Sequence, residues 1–77
     1  MPITAAQVRG ARAMLAMHQA DLAQAAGIGR STLATFETGE TSPHPSTLGR
    51  IQTVLEDAGA VFIETDAGTG VIIRPKG

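Results

Sequence analysis

The residues of this sequence best suited to chemistry are Arg30, Ser31, Thr32, Thr35 and Thr38, which recur at helical spacing. At about 100° per residue, Ser31, Ala34, Thr35 and Thr38 fall on one side of a wheel, with Leu33, Phe36 and Glu37 opposite. The first side is small and rich in hydroxyls, with Arg30 at its N-terminal edge. An arginine pairs bidentately with guanine O6 and N7, a hydroxyl donates to or accepts from base edges, and a threonine methyl meets a thymine methyl. A face of this size enters a major groove about 12 Å wide without clash. Taken alone, such a face is also ordinary solvated helix surface, so the surrounding elements must decide.

Other chemistries find less support. His18 and His44 are isolated and the chain has no cysteine, so no metal site is expected. Gly27-Ile28-Gly29 superficially matches a dinucleotide fingerprint but follows a helix instead of a strand. Gly68-Thr69-Gly70 has no P-loop lysine. No Ser/His/Asp arrangement has a context that makes a nucleophile. The sequence therefore points away from an enzyme and calls for no cofactor.

The elements that would carry the hydroxyl face can be read from pattern. Thr4 and Gln7 form a capping-box pair, followed by Val8, Ala11 and Leu15 on one face of a first helix ending between Met14 and Met17. A second helix is expected over about Gln19–Ala26, with Asp21 in its first turn favoured by the helix dipole. Gly27 stops it. A third helix follows over Arg30–Thr38, ended by Gly39. Residues 39–45 read as loop, and a fourth helix runs from about Ser46 to Ala58 with Leu48, Ile51, Leu55 and Ala58 in one stripe. After Gly59 the pattern becomes β: residues 61–63 and 71–73 are short β-branched or aromatic runs around a longish turn over residues 65–70. A lone hairpin is marginal in water, so these runs must pack on the helices or meet another chain. The reading is one mainly α unit over residues 1–59 with a C-terminal hairpin over 60–77.

Composition sets the bounds. The 77 residues make one small domain, 43% apolar and 17% charged, which fits a folded chain. Six Lys/Arg against seven Asp/Glu leave a net charge of -1, so bulk charge names no polyanionic partner. The missing cysteines exclude a disulfide framework. No apolar run approaches the roughly 18 residues of a membrane span, and the start lacks a signal-peptide pattern. A cytoplasmic protein is expected.

Two short helices joined by a tight glycine turn are a helix-turn-helix signature. Ala23 is small where the helices approach, Gly27 makes the turn, Ile28 plugs the space between helices and Leu33 anchors the third helix. Glu37 lies on the apolar side of that helix, where a carboxylate needs a partner; Arg12 is the natural candidate.

The stretch HQADLAQAAGIGRSTLATFETGE resembles the phage-repressor or Cro-type helix-turn-helix family, also called the XRE family. The match is strongest over residues 18–41 and extends in pattern over about 5–58. The resemblance implies a four- to five-helix repressor-like bundle that binds operator DNA as a homodimer, with the third helix in the major groove. It implies a phosphate contact for Gln19, base-edge positions for Arg30, Ser31 and Thr35, and a place nearer the backbone for Thr32. Thr38 and His18 join this DNA-binding set, and Arg12 with Glu37 matches the family's ion pair. Two positions depart from the pattern. Gly29 replaces the usual Ser or Thr cap of the recognition helix, and His18 replaces the usual Asn or Ser before Gln19.

The resulting expectation is a sequence-specific transcription regulator, a repressor on a pseudo-palindromic site. Val61, Ile63, Val71 and Ile73 of the hairpin are the candidate dimer contacts. Residues 21–45 carry Arg30 against Asp21, Glu37 and Glu40, so few phosphate contacts are expected; Arg9, Arg30 and Arg50 are the basic residues expected to share a face with Gln19. An alternative of another class is an antitoxin-like or adaptor module that binds protein on the same scaffold, favoured by the low charge and Glu40.

Overall fold

The computed structural model describes residues 2–75. The chain runs α1 (Ala5–Met14), α2 (Gln19–Ala26), α3 (Arg30–Glu37), α4 (Pro45–Asp57), β1 (Ala60–Thr65) and β2 (Gly68–Ile73). This is the mainly α bundle with a C-terminal hairpin that the sequence pattern called for; residues 76–77 of the hairpin segment lie outside the described residues.

Local chemistry sets the helix ends. At the start of α1 the Thr4 hydroxyl accepts the Gln7 backbone N–H at 3.1 Å, and the Gln7 side-chain oxygen accepts the Thr4 N–H at 2.9 Å. The helix buries Gln7, Val8 and Ala11. Beyond Leu15 the chain turns through Ala16, which has a φ of 54°. This left-handed conformation costs a Cβ-bearing residue about 1 kcal/mol. Gly27, at φ 70°, closes α2 in the same conformation without that cost. His18 brings no side-chain hydrogen bond to the start of α2; the Asp21 carboxylate accepts the His18 backbone N–H at 3.2 Å instead. The α4 helix begins one residue earlier than Ser46. Pro45 occupies its first turn, where the missing N–H costs nothing, and the His44 ring nitrogen accepts the Ser46 N–H at 3.2 Å.

Side chains from all four helices and from the first strand residue meet in one core. Val8, Leu22, Leu33, Ile51 and Leu55 are fully enclosed, joined by Ile3, Ala11, Ala23, Ala26, Phe36 and Ala60. Ile28, in the turn before α3, packs against this core as a plug.

The hairpin departs from expectation in its turn. The strands extend to Thr65 and Gly68, so the connection is the two residues Asp66 and Ala67 in place of a loop over 65–70. Two features close it so tightly. The Thr65 hydroxyl accepts the Ala67 N–H at 3.1 Å, and Gly68 takes a φ of 140° that other residues rarely adopt. Cross-strand partners Ala60–Ile73 and Phe62–Val71 share one face; Val61–Ile72 and Ile63–Gly70 share the other. Phe62, Val71 and Ile73 pack against the helical core. Val61 and Ile72 face outward, 39% and 52% exposed.

Two contacts fasten this sheet to α1. The Gln7 amide nitrogen donates to the carbonyls of Ile63 (3.2 Å) and Gly70 (2.8 Å), which lie opposite each other across the ladder. One turn along, Val71 lies against Gly10, where a Cβ would sit 3.4 Å from the valine methyl. Gly10 thus lets the sheet approach the helix closely.

Candidate nucleic-acid interface

α3 splits into two sides, as its periodicity requires. Leu33, Phe36 and Glu37 are buried, while Arg30, Ser31, Thr32 and Thr38 are exposed and Ala34 and Thr35 half-buried. Apolar contacts fix the inner side; what sets the helix's orientation against α1 and α2 is the acid among them.

Glu37 has 3% of its side chain exposed, yet every need of its carboxylate is met. Arg12 grips it side-on, with Nε 2.8 Å from Oε2 and Nη2 2.7 Å from Oε1. The same guanidinium donates to the Met17 carbonyl at 3.0 Å, tying the α1–α2 turn into the cluster. Gln19 adds a third donor, its amide nitrogen 3.2 Å from Oε1. The hydrogen bonds that Arg12 donates to Glu37 raise the Arg12 pKa; partial burial acts in the opposite direction, and the Glu37 charge adds to the rise. Because the shift is upward, the contribution of the Arg12 charge is fully present at neutral pH and is lost as pH rises into strong alkali. Arg9 donates to the backbone carbonyl of Glu37 at the C-terminal end of α3, a favourable place for a cation. One helix, α1, thus holds α3 by two arginines.

The outer side has two chemically different halves. In the first turn Arg30, Ser31 and Thr32 extend into solvent, and no hydrogen bond among the described residues occupies their side chains. Gly29 caps the helix without a side-chain hydrogen bond. In the last turn the hydroxyls are turned onto the helix itself. Thr35 Oγ1 donates toward the carbonyls of Ser31 and Thr32, both at 3.1 Å, and Thr38 Oγ1 donates to the Thr35 carbonyl at 2.9 Å. Thr41, from the following loop, donates its hydroxyl to Thr35 Oγ1 at 3.1 Å.

A family model described as helix-turn-helix matches residues 8–56, from within α1 nearly to the end of α4. The chain belongs to this family. It is thereby a helix-turn-helix protein of the XRE type, a family of DNA-binding transcription regulators. A search of curated proteins finds no match. In this helix-turn-helix unit α2 and α3 are the paired helices, and Gly27 and Ile28 form the turn between them. No helix among the described residues is long and apolar enough to cross a membrane, and no group of three or more His, Cys, Asp or Glu among them is placed to hold a metal ion.

The residues singled out from sequence take the following places in the helix-turn-helix fold. Arg12 and Glu37 form their ion pair. Arg30, Ser31, Thr32, Thr35 and Thr38 share the outer side of α3. His18 is exposed at the start of α2, and Gln19 is half-buried beside Glu37 with one of its two amide N–H groups engaged there. Arg50 lies on α4, near Thr47 at 3.4 Å. Of the four candidate dimer residues, Val61 and Ile63 stand on the outer face of the hairpin; Val71 and Ile73 are on the inner face, where the helices occupy them. Sequence reading passed over Ile72 and Thr41, took Gln7 only as a cap and Arg9 only as a base beside Arg30 and Arg50, and so missed the contacts of Gln7 with the hairpin and of Arg9 with the end of α3. Strict alternation with Val71 would have exposed Ile72. The other three act across gaps of 6 to 63 residues in sequence, with no local signature.

Proposed function

We propose that this chain is a sequence-specific repressor that binds a pseudo-palindromic operator as a homodimer in the cytoplasm, laying α3 in the major groove of each half-site. The observation that carries this reading is the first turn of α3: an exposed arginine and two exposed hydroxyl residues without internal partners, on a helix whose other side is locked into the core. Arg30 supplies a bidentate donor for guanine, Ser31 a hydroxyl for an adjacent base, and Thr32 a hydroxyl nearer the backbone. Gln19, with one amide N–H still free, and His18 stand at the start of α2, where a phosphate contact would set register. Repression follows from occupancy, because a bound dimer blocks polymerase.

The dimer is assigned to the outer hairpin face, where Val61, Ile63 and the exposed Ile72 form an apolar strip. A second copy is the occupant that the paired half-sites of an operator require.

Selection from random duplex DNA, followed by sequencing and footprinting, tests the reading. Enrichment of two half-sites about 10 base pairs apart is expected. Arg30→Ala should relax preference at one position per half-site by roughly 1–3 kcal/mol. The salt dependence should be shallow, because few phosphates are neutralised. Sedimentation of Ile72→Asp should give monomers; an unchanged dimer would remove the hairpin from the interface. Charge variants are preferable to truncation after Gly59, which would also strip Phe62, Val71 and Ile73 from the core. Failure to enrich any duplex would favour the antitoxin-like or adaptor reading, for which the observation is Glu40, an exposed acid just beyond α3.

A further inference from the structure

We infer that Thr35 reads the C5-methyl group of a pyrimidine, thymine in unmodified DNA, through its own γ-methyl, and that Thr41 is the positioning residue that holds it in that orientation. The inference rests on the DNA-binding reading above and assigns a particular chemistry to one position of that face.

Its basis is the accounting of one hydroxyl. A threonine hydroxyl has a single proton to donate and two lone pairs. The Thr35 proton is directed at the carbonyls of Ser31 and Thr32, at 3.1 Å each. One lone pair receives the Thr41 hydroxyl at 3.1 Å. A donor committed to the helix backbone is not available to a base, and rotating it away would give up both contacts. The branch without a polar partner is the methyl. β-Branched side chains have few χ1 choices in a helix, and the contact from Thr41 further favours the rotamer that keeps Oγ1 on the backbone.

The same accounting separates Thr35 from its neighbours. Ser31 and Thr32, one turn earlier, keep their hydroxyls free, so hydrogen-bond readout belongs to the start of α3 and methyl contact to its later turn. Ala34, beside Thr35 and half-buried, adds a second methyl without any polar atom. A base edge facing this later turn meets carbon and an oxygen whose proton and one of two lone pairs are already engaged. In the major groove the matching group is the C5-methyl of thymine, because every other exposed edge atom is a hydrogen-bonding group or a C–H.

The test uses the full-length protein and the duplex recovered by selection. Each thymine in the half-site is replaced in turn by deoxyuridine, which removes the C5-methyl and leaves the hydrogen-bonding edge intact. The expected result is one position per half-site where the wild-type protein loses about three- to fivefold in affinity, the worth of one buried methyl. Thr35→Val, which keeps the methyl and removes the hydroxyl, should retain that sensitivity. Thr35→Ser, which does the reverse, should bind thymine and deoxyuridine duplexes alike. Thr41→Val should narrow the difference while leaving the Arg30-dependent base preference in place. Thermal melts confirm that each variant is folded.

Deoxyuridine tolerated at every position by a protein that still selects its duplex would overturn the inference and leave the DNA-binding reading standing. Sensitivity that survives in Thr35→Ser would assign the methyl contact to another residue and overturn it as well. No enriched duplex at all would bring down both.

Discussion

The helix α1 holds two parts of the molecule by opposite means. Toward α3 it uses charge: Arg12 clamps the buried Glu37 and Arg9 meets the end of the same helix. Toward the hairpin it uses a neutral amide, Gln7, shared between two backbone carbonyls, with Val71 seated on Gly10. Gln7 and Glu37 are the buried polar side chains among the described residues, each 3% exposed. The difference teaches how much each joint depends on its partner. A buried carboxylate stripped of its cation keeps a charge with nowhere to go, whereas a lost amide leaves only neutral groups short of a hydrogen bond. The charged joint therefore orients α3 strictly, and the neutral joint seats a sheet that apolar packing also holds.

Breaking the charged joint should have the largest effect. Arg12→Met, which keeps the stem and removes the guanidinium, should lower unfolding free energy by about 3–5 kcal/mol, measured by urea denaturation. Replacing Glu37 with Met in the same chain should recover most of that loss; a double variant as unstable as the single one would show that the cost is packing and not charge. Gln7→Ala should cost about 2 kcal/mol, since it removes one half of the capping box and the bridge to the hairpin. Faster amide exchange should follow in β1 and β2 but not in α3, and equal loosening of both regions would erase the contrast between the joints.

Smaller changes sharpen the comparison. Ala16 sits at φ 54° in the turn whose Met17 carbonyl Arg12 holds. Ala16→Gly should raise stability by up to about 1 kcal/mol by relieving that backbone, and an unchanged melting temperature would mean that the turn carries no strain. At the other joint, Gly10→Ala gains helix propensity of up to about 1 kcal/mol but brings a Cβ to 3.4 Å from Val71. The two effects should nearly cancel, leaving melting within about 0.5 kcal/mol of the wild type. A loss well beyond that would mean the sheet cannot shift on α1 at all.

Much of the fold was legible because its determinants are local. Thr4 and Gln7 announce a helix start, Gly27 a left-handed stop, and Leu33, Phe36 and Glu37 an inward side. The Arg12–Glu37 pair was legible for a different reason: an acid on an apolar side demands a cation, and few were on offer. The hairpin turn was misread because Thr69 and Gly70, turn-forming by type, are held in the ladder by pairing with Glu64 and Ile63. The outer face of the hairpin was half misjudged, since β-branched runs do not say which residue of each adjacent pair looks inward. The second hydrogen-bonding role of Gln7 was hidden, because a residue explained by its cap gives no hint that its amide nitrogen reaches 56 and 63 residues onward.

By itself the sequence determined the helix limits, the turn between α2 and α3, and which residue types stand on the outer side of α3, because caps, glycine conformations and helical period act over a few neighbouring residues. Tertiary structure decided that the Thr35 oxygen is held from outside its own helix as well, since Thr41 arrives from the loop that follows. It also decided which hairpin face turns inward, because the side that meets α1 and α4 is set by how the whole chain packs and by no stretch of it alone.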